Sequence, residues 1–176
     1  MRNWVLAIDP GNRDSAYCII EKETLKPLRF GKVTNHELER MMLAYMKNWS
    51  NGLVYSEMVI ERVASYGMAV GKDIFQTCEW TGRFVEIALM TQVPVSYVYR
   101  KDEKLHICGD SRAKDANVRR ALIDRFATHD LKNGKGTKQN PDFFYQFKAD
   151  CWAAYSTGLT YIEAGPSERE EKTDEN

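Results

Sequence analysis

Three acidic residues stand where they could act together. Asp9 closes one apolar run, Glu61 closes another, and Asp150 lies in Lys148-Ala149-Asp150-Cys151-Trp152 near the C-terminal end. If the first and fourth strands of the chain are neighbours and parallel, Asp9 and Glu61 fall side by side at the carboxyl edge of a sheet, where ligand sites of such sheets form. Asp150, on a helix crossing that edge, completes a cluster. Two like charges about 4 Å apart repel by about 4 kcal/mol at an effective dielectric of 20, so gathered carboxylates require a neutralising partner. Oxygen-only ligands select hard cations such as Mg²⁺ or Mn²⁺. A pair of these about 3.5–4 Å apart can activate a water and stabilise the leaving oxygen of a phosphodiester. The chemistry implied is metal-dependent phosphodiester hydrolysis. Each acid alone has a plainer reading: an ordinary Asp-Pro-Gly turn, a surface ion pair of Glu61 with Arg62, an exposed helix acid at Asp150. Only their joint placement argues for a site.

The elements that must position these acids follow from hydrophobic spacing. Trp4 to Ile8 is continuously apolar and stops at Asp9-Pro10-Gly11, the pattern of a central strand buried on both faces. Ser15 to Ile20 and Pro27 to Val33 read as two further strands of an antiparallel meander, Glu57 to Val63 as a fourth, and Val93 to Tyr99 as a fifth. Thr34 and Glu37 fit a capping box, followed by Leu38, Met41, Met42, Tyr45 and Trp49 at helical spacing. Asp73 to Thr91 reads as a helix with Ile74, Cys78, Val85 and Leu89 near one face and Gly82 permitting a close contact. Lys114 to Ala127 is a third helix, with Val118, Ala121, Leu122 and Phe126 inward and Lys114, Arg119 and Arg120 outward. Thr128 to Asn140 reads as a mobile loop leading to a last helix that starts at Pro141-Asp142 and ends near Tyr161.

With 176 residues the chain has room for one well-buried domain, and its 43% hydrophobic and 28% charged residues are those of a soluble globular protein. No apolar run reaches the roughly 18 residues of a membrane span, and the N-terminus lacks the pattern of a signal peptide, so the expected location is the cytoplasm. Cys18, Cys78, Cys108 and Cys151 are scattered, with no metal-ligand spacing, and read as reduced thiols, most of them in the core. His106 and His129 have no partners at useful spacing. The net charge of zero hides polarity: residues 100–148 carry 12 basic against 7 acidic side chains, and residues 163–176 carry 2 against 6. That acidic tail is expected to be disordered.

At the three acids the sequence resembles the RuvC family of Holliday-junction resolvases, specifically its phage and prophage-type members, within the RNase H-like superfamily. Leu6-Ala7-Ile8-Asp9-Pro10-Gly11 is similar to the opening I-D-P-G strand of that family, Val59-Ile60-Glu61 to its second acidic strand, and Lys148-Ala149-Asp150-Cys151-Trp152-Ala153-Ala154 to its closing helix. Arg112-Ala113-Lys114-Asp115-Ala116-Asn117-Val118 resembles the basic helix start beside the scissile strand, and Ser65 to Lys72 the loop after the second acid. The resemblance implies an α/β, RNase H-like fold with a mixed five-stranded sheet, order 3-2-1-4-5, and helices on both faces. It implies a nuclease domain over residues 1–162, followed by the tail at 163–176.

Carried over, Asp9, Glu61 and Asp150 are the catalytic and metal-holding residues for Mg²⁺, with Mn²⁺ able to substitute. Lys104 and Lys114 contact phosphates, and Tyr66 approaches the junction centre. The resemblance also implies branched DNA as the substrate, a four-way junction first, and a homodimer, because two opposed strands must be cut symmetrically. A fourth acid three residues before the last one is replaced here by Phe147, which leaves Gln146 as the polar side chain one helical turn before Asp150. Lys101 and Arg112 join the lysines as DNA contacts because they follow the fifth strand on the same edge. Two other readings stand beside this one: a non-cleaving binder of branched DNA with the same fold, and an actin-like ATPase with Asp9-Pro10-Gly11 as its phosphate loop. The single domain counts against the second.

Overall fold

The structure is a computed structural model that describes residues 3–46, 54–65, 67, 69–148 and 150–167. Within them the chain runs β1 (Trp4–Asp9), β2 (Asp14–Glu21), β3 (Pro27–Thr34), α1 (Asn35–Met46), β4 (Glu57–Arg62), α2 (Lys72–Met90), β5 (Val95–Tyr99), α3 (Arg100–Cys108), α4 (Asp115–Phe126) and α5 (Cys151–Ala164). The strands form one sheet of order β3-β2-β1-β4-β5. Pairing is antiparallel from β3 to β1 and parallel from β1 to β5. The two parallel pairs need crossovers, which α1 and α2 supply. This is the mixed sheet expected from the sequence.

β1 is central, and Val5, Leu6, Ala7 and Ile8 are fully buried. Side chains alternate along a strand, so Leu6 and Ile8, with Met58 and Ile60 of β4, face a core shared with Leu38 and Met42 of α1 and Phe84, Ile87 and Ala88 of α2. Val5, Ala7 and Val59 face the other way, where Tyr161 and Ile162 of α5 cover them. By the same alternation Asp9 and Glu61 point to the α5 side of the sheet. α3 and α4 pack against each other, and α3 also packs on α5.

α5 lies unusually close to the strands because of Gly158. A Cβ there would sit 2.8 Å from Ala7 Cβ and nearer still to Ile20 Cδ1. Tyr161 fastens the C-terminal half of the helix by donating its hydroxyl to Glu57 Oε2 at 2.8 Å. Near the N-terminal half, Phe147, Phe144, Trp152 and Tyr155 pack ring against ring, and Phe30 of β3 meets Phe147 at 4.4 Å between centroids. Gly82, expected to allow a close contact, has nothing within 4 Å of where a Cβ would stand.

Several expectations are corrected. The core face of α2 is Thr77, Phe84, Ile87 and Ala88, whereas Cys78, Ile74 and Leu89 are exposed, because the apolar positions admit two helical phases and packing chooses the one around Phe84. Residues 100–108, to which the sequence reading assigns no element, form α3, closed by Gly109 in the left-handed conformation. The last helix starts at Cys151 rather than Pro141: residues 143–146 form turns, Gln146 has a positive φ of 65°, and Phe147 is fully buried. Phe147 and Gln146 therefore do not share a helix face with Asp150. Among the cysteines, Cys18 and Cys151 are buried and Cys108 is half-buried, all without disulfides.

The segment from Thr128 to Asn140 is held rather than loose. The buried carboxylate of Asp142 accepts hydrogen bonds from the backbone N–H groups of Thr128, His129, Asp130 and Phe143, and Asp130 accepts from those of Asn133, Lys135 and Gly136. Burial opposes the charge on Asp142, but these N–H groups outweigh it and hold the carboxyl well below its usual range. Both histidines have partners: His106 Nε2 lies 2.8 Å from Glu163 Oε2, and His129 Nε2 lies 3.1 Å from the Asn140 carbonyl. α5 runs to Ala164, and Ser167 donates its backbone N–H to the Tyr97 carbonyl at 2.9 Å, so residues 163–167 are part of the packed structure. Trp49 and residues 168–176 lie outside the described residues. Among the described residues no helix is long and apolar enough to cross a membrane.

The contact at Gly158 gives a direct test. Gly158→Ala forces a methyl group into occupied space, which is expected to cost about 1–3 kcal/mol. At about 2–4 °C per kcal/mol for a chain of this size, thermal unfolding followed by circular dichroism should show the loss. Gly82→Ala, on an open face of a helix, should leave Tm unchanged or raise it.

Candidate active site

Asp9 is held at the end of β1 by the turn that follows it. Ser15 Oγ accepts a hydrogen bond from the Gly11 N–H at 3.1 Å and donates to Asn35 Oδ1 at 2.6 Å, and Asn35 Nδ2 returns to the Gly11 carbonyl at 2.8 Å. A Cβ at Gly11 would collide with the Asp14 carbonyl oxygen, so the turn closes only with glycine there. Glu61 stands beside Asp9 because Ile8 and Ile60 are register partners in the parallel pair. Asp150 is the N-cap residue of α5, yet its side chain makes no capping hydrogen bond. It is instead paired with Lys32 of β3. The register Asp9↔Ala16 and Ala16↔Lys32 puts that lysine in the same row across the sheet.

The three acids line one cavity of about 490 Å³, together with Arg100, Asp115, Arg119, Trp152, Ala153 and Ser156. Arg100 Nη1 lies 2.5 Å from Glu103 Oε2 and 3.9 Å from Glu61 Oε2, and Nη2 donates to Asp115 Oδ1 at 2.9 Å. Glu103 is fully buried and also accepts from the Thr157 hydroxyl at 2.7 Å. Burial, with Asp150 adding repulsion, raises the Asp9 carboxyl to about 6 even though Arg100 opposes it. Burial and the neighbouring charges of Glu103 and Asp9 raise Glu61 to about 9. Asp115 moves the other way, because its ion pairs with Arg100 and Lys104 outweigh its partial burial.

A cation is what this field calls for, and the donor set, carboxylate oxygens alone, suits a hard divalent ion. As the side chains stand, no three carboxylates, thiols or imidazoles among the described residues converge closely enough to enclose one. Asp150 is turned to Lys32, and Glu61 is flanked by Arg100. The residues fit such an ion by chemistry and by their shared cavity, and side-chain rotation is needed to bring them together on it. Phe147 does not line the cavity; one turn after Asp150 on α5 stands Ala153, with Trp152 and Ser156 also on the cavity wall.

The expected DNA contacts are spread around this cavity. Lys104 Nζ lies 3.5 Å from Asp115 Oδ1 at the rim. Lys114 is exposed at the N-terminus of α4, where Asn117 Oδ1 accepts its backbone N–H at 3.0 Å. Arg112 is exposed near Asp110, and Lys101 lines a separate cavity of about 910 Å³ with Ser65, His106 and Thr160. Tyr66 lies outside the described residues. Sequence reasoning missed Arg100, Glu103 and Asp115 as parts of the site, together with the Arg119 guanidinium 5.0 Å above the Trp152 ring. The indole Nε1–H of Trp152 is buried and has no hydrogen-bond partner among the described residues.

No protein-family model and no curated protein sequence matches the chain. Among solved structures it is similar to Thermus thermophilus RuvC in complex with a Holliday junction substrate, with a TM-score of 0.64, 15% identity, and coverage of 90% of this chain and 92% of that one. It is similar also to a second structure of Thermus thermophilus RuvC, with a TM-score of 0.60, 16% identity and the same coverage. The sheet order and helix placement are those of the RuvC, RNase H-like fold.

The raised carboxyls make a pH prediction. In the native protein Asp9 and Glu61 keep protons that the unfolded chain has already released, so the stability these two groups contribute is fully present below their ordinary carboxylate range and is lost as pH rises through about 6 and then about 9. In EDTA, Tm should drop by several degrees between pH 5 and pH 9 on the order of the shifts involved. Glu61→Gln should flatten the fall and exceed the parent Tm at the alkaline end. Added Mg²⁺ should restore the parent at high pH and have little effect at low pH, where protons compete for the same oxygens.

Proposed function

We propose that this protein is a divalent-metal-dependent, structure-selective endonuclease that hydrolyses phosphodiesters in branched DNA, with the four-way junction its principal substrate. The reading is carried by the placement of three carboxylates from β1, β4 and the start of α5 in one cavity. The sheet that places them has the fold of a protein solved with a Holliday junction. Asp9, Glu61 and Asp150 would hold Mg²⁺ or Mn²⁺. Bound there, such an ion supplies Lewis-acid polarisation of the phosphate and of the attacking water.

The protein's own groups do the rest. Lys104 and Lys114 at the rim, with Lys101 and Arg112 farther out, neutralise backbone phosphates and set the register of the strand without reading its sequence. The guanidinium of Arg119, exposed on the cavity wall over the Trp152 ring, is a donor that an entering phosphate can meet. Tyr66, five residues after Glu61 in the sequence, is proposed to reach the branch point. A homodimer presents two such cavities to opposed strands.

The second reading, a binder of branched DNA that does not cut, is favoured by the pairing of Asp150 with Lys32, which occupies a ligand carboxylate. A labelled four-way junction incubated with and without Mg²⁺ separates the two. Cutting that requires the ion supports the nuclease, and binding without cutting in either condition supports the alternative. In the nuclease, Asp9→Asn should lower the cleavage rate by at least about 10–100-fold, since even groups one step behind a metal ligand cost that much. Junction affinity should stay nearly constant, and equal loss of both would make Asp9 structural.

Neutralising Lys104 and Lys114 together should weaken junction binding. It should also lower the slope of log K against log salt by about 0.9 for each duplex phosphate contact removed. An unchanged slope would mean that both lysines face solvent in the complex.

A further inference from the structure

Arg100 is the first residue of α3 and stands inside the carboxylate cavity rather than at its rim. Its guanidinium is shared among carboxylates from three elements: Glu61 of β4, Glu103 of α3 and Asp115 of α4, with Ser156 Oγ of α5 3.4 Å from Nη1. Glu103 has no solvent exposure, and Arg100 is the cation that pairs with it, so withdrawing the guanidinium leaves a buried anion uncompensated. Arginine does not lose its proton in proteins, and its planar fork matches carboxylates and phosphates alike. The positive charge is therefore permanent and fixed in place.

A second divalent ion would have to sit about 3.5–4 Å from the first and find oxygen ligands of its own. On one side of the cavity those oxygens belong to Glu61 and Asp115, both paired with Arg100, and the fully buried Glu103 is held by the same guanidinium. On the other side, the α5 residue one turn beyond Asp150 is Ala153, which offers only a methyl group, and the Ser156 hydroxyl is a neutral oxygen already bonded to the Trp152 and Ala153 carbonyls of its own helix and within 3.4 Å of Arg100. The cavity thus has ligands for one ion and a built-in cation where another would lie.

We propose that the guanidinium of Arg100 stands in place of a second divalent cation, so that the site binds a single Mg²⁺ or Mn²⁺ and Arg100 provides the other positive charge facing the phosphate. This rests on the reading that Asp9, Glu61 and Asp150 hold a metal ion. Arg100 acts here as a positioning residue, holding Glu61 at the metal and keeping Glu103 and Asp115 from binding a further ion.

The test is the number of Mn²⁺ ions bound per full-length chain without DNA, measured by titration calorimetry and by electron paramagnetic resonance of free Mn²⁺. The parent protein should bind one. Arg100→Gln, which frees Glu103 and Asp115, should bind two, should unfold at lower temperature in EDTA, and should regain more Tm on adding Mn²⁺ than the parent does. Arg100→Lys should remain at one. Two ions bound by the parent would overturn the proposal while leaving the metal site intact, and so would a folded Arg100→Gln variant that still binds one. No ion bound by the parent would overturn the metal-site reading itself. If Arg100→Gln does not fold, the parent and Arg100→Lys stoichiometries decide the matter: one ion each upholds the proposal, and two in either overturns it.

Discussion

The site depends on how closely α5 lies against β1. Gly158 lets the helix backbone rest on Ala7 and Ile20, and from that seat the helix extends in one direction to Tyr161 and Glu57 and in the other to Asp150 above Asp9. Carboxylates gathered in this way repel one another by several kcal/mol when close and poorly screened. The force that keeps them together is packing at the same end of the helix. Each large side chain buried among Phe144, Phe147, Trp152 and Tyr155 contributes roughly 1.5–3 kcal/mol, and the ring contacts add about 0.5–1.5 kcal/mol apiece. These contributions are of at least the same order as the repulsion, and they act at the same end of the helix.

Charge compensation then determines how the acids are held before any ligand arrives. Lys32 draws Asp150 toward β3, while Arg100 draws Glu61, Glu103 and Asp115 toward α3. The carboxylates are thus restrained from two sides by cations belonging to the chain. A divalent ion entering the cavity must compete with Lys32, an exposed and flexible side chain, far more easily than with Arg100, which is half-buried and bonded at both ends of its fork. The asymmetry between a yielding lysine and a fixed arginine gives the cavity one side that can open.

The sheet was legible because its signals are local. A continuous apolar run ending in Asp9-Pro10-Gly11 marks a central strand, and apolar stretches ending at Glu61 and Tyr99 mark its parallel neighbours. Those runs put Asp9 and Glu61 at the ends of their strands, and the resemblance to the RuvC family supplied the strand order that makes the two strands neighbours. The remainder of the site was hidden for a physical reason: α3 turns an acid inward. Hydrophobic periodicity finds a helix by its apolar face, but the fully buried residue of α3 is Glu103, and Leu105 is exposed. What could have revealed the helix is its ending, because Gly109 follows a stretch with Asp102 and Glu103 in the first turn and His106 in the last. The segment before Asp150 misled in the opposite sense. Its aromatic residues are dense enough to suggest a helix, yet they serve a turn-rich plug whose shape depends on Gln146 in a left-handed conformation, which nothing local announces.

The hydrogen bonds around Asp142 and Asp130 bear on molecular recognition. The segment they fix carries Lys132, Lys135 and Lys138, a run of like charges on a backbone that the fold has already ordered. A basic loop that is unstructured before it meets a polyanion loses conformational entropy on contact, and part of its electrostatic attraction is cancelled. Here the backbone has no such freedom left to lose. Any polyanion reaching these lysines meets a preset spacing of charges, so the surface favours partners whose phosphates match that spacing over those that could merely wrap around it.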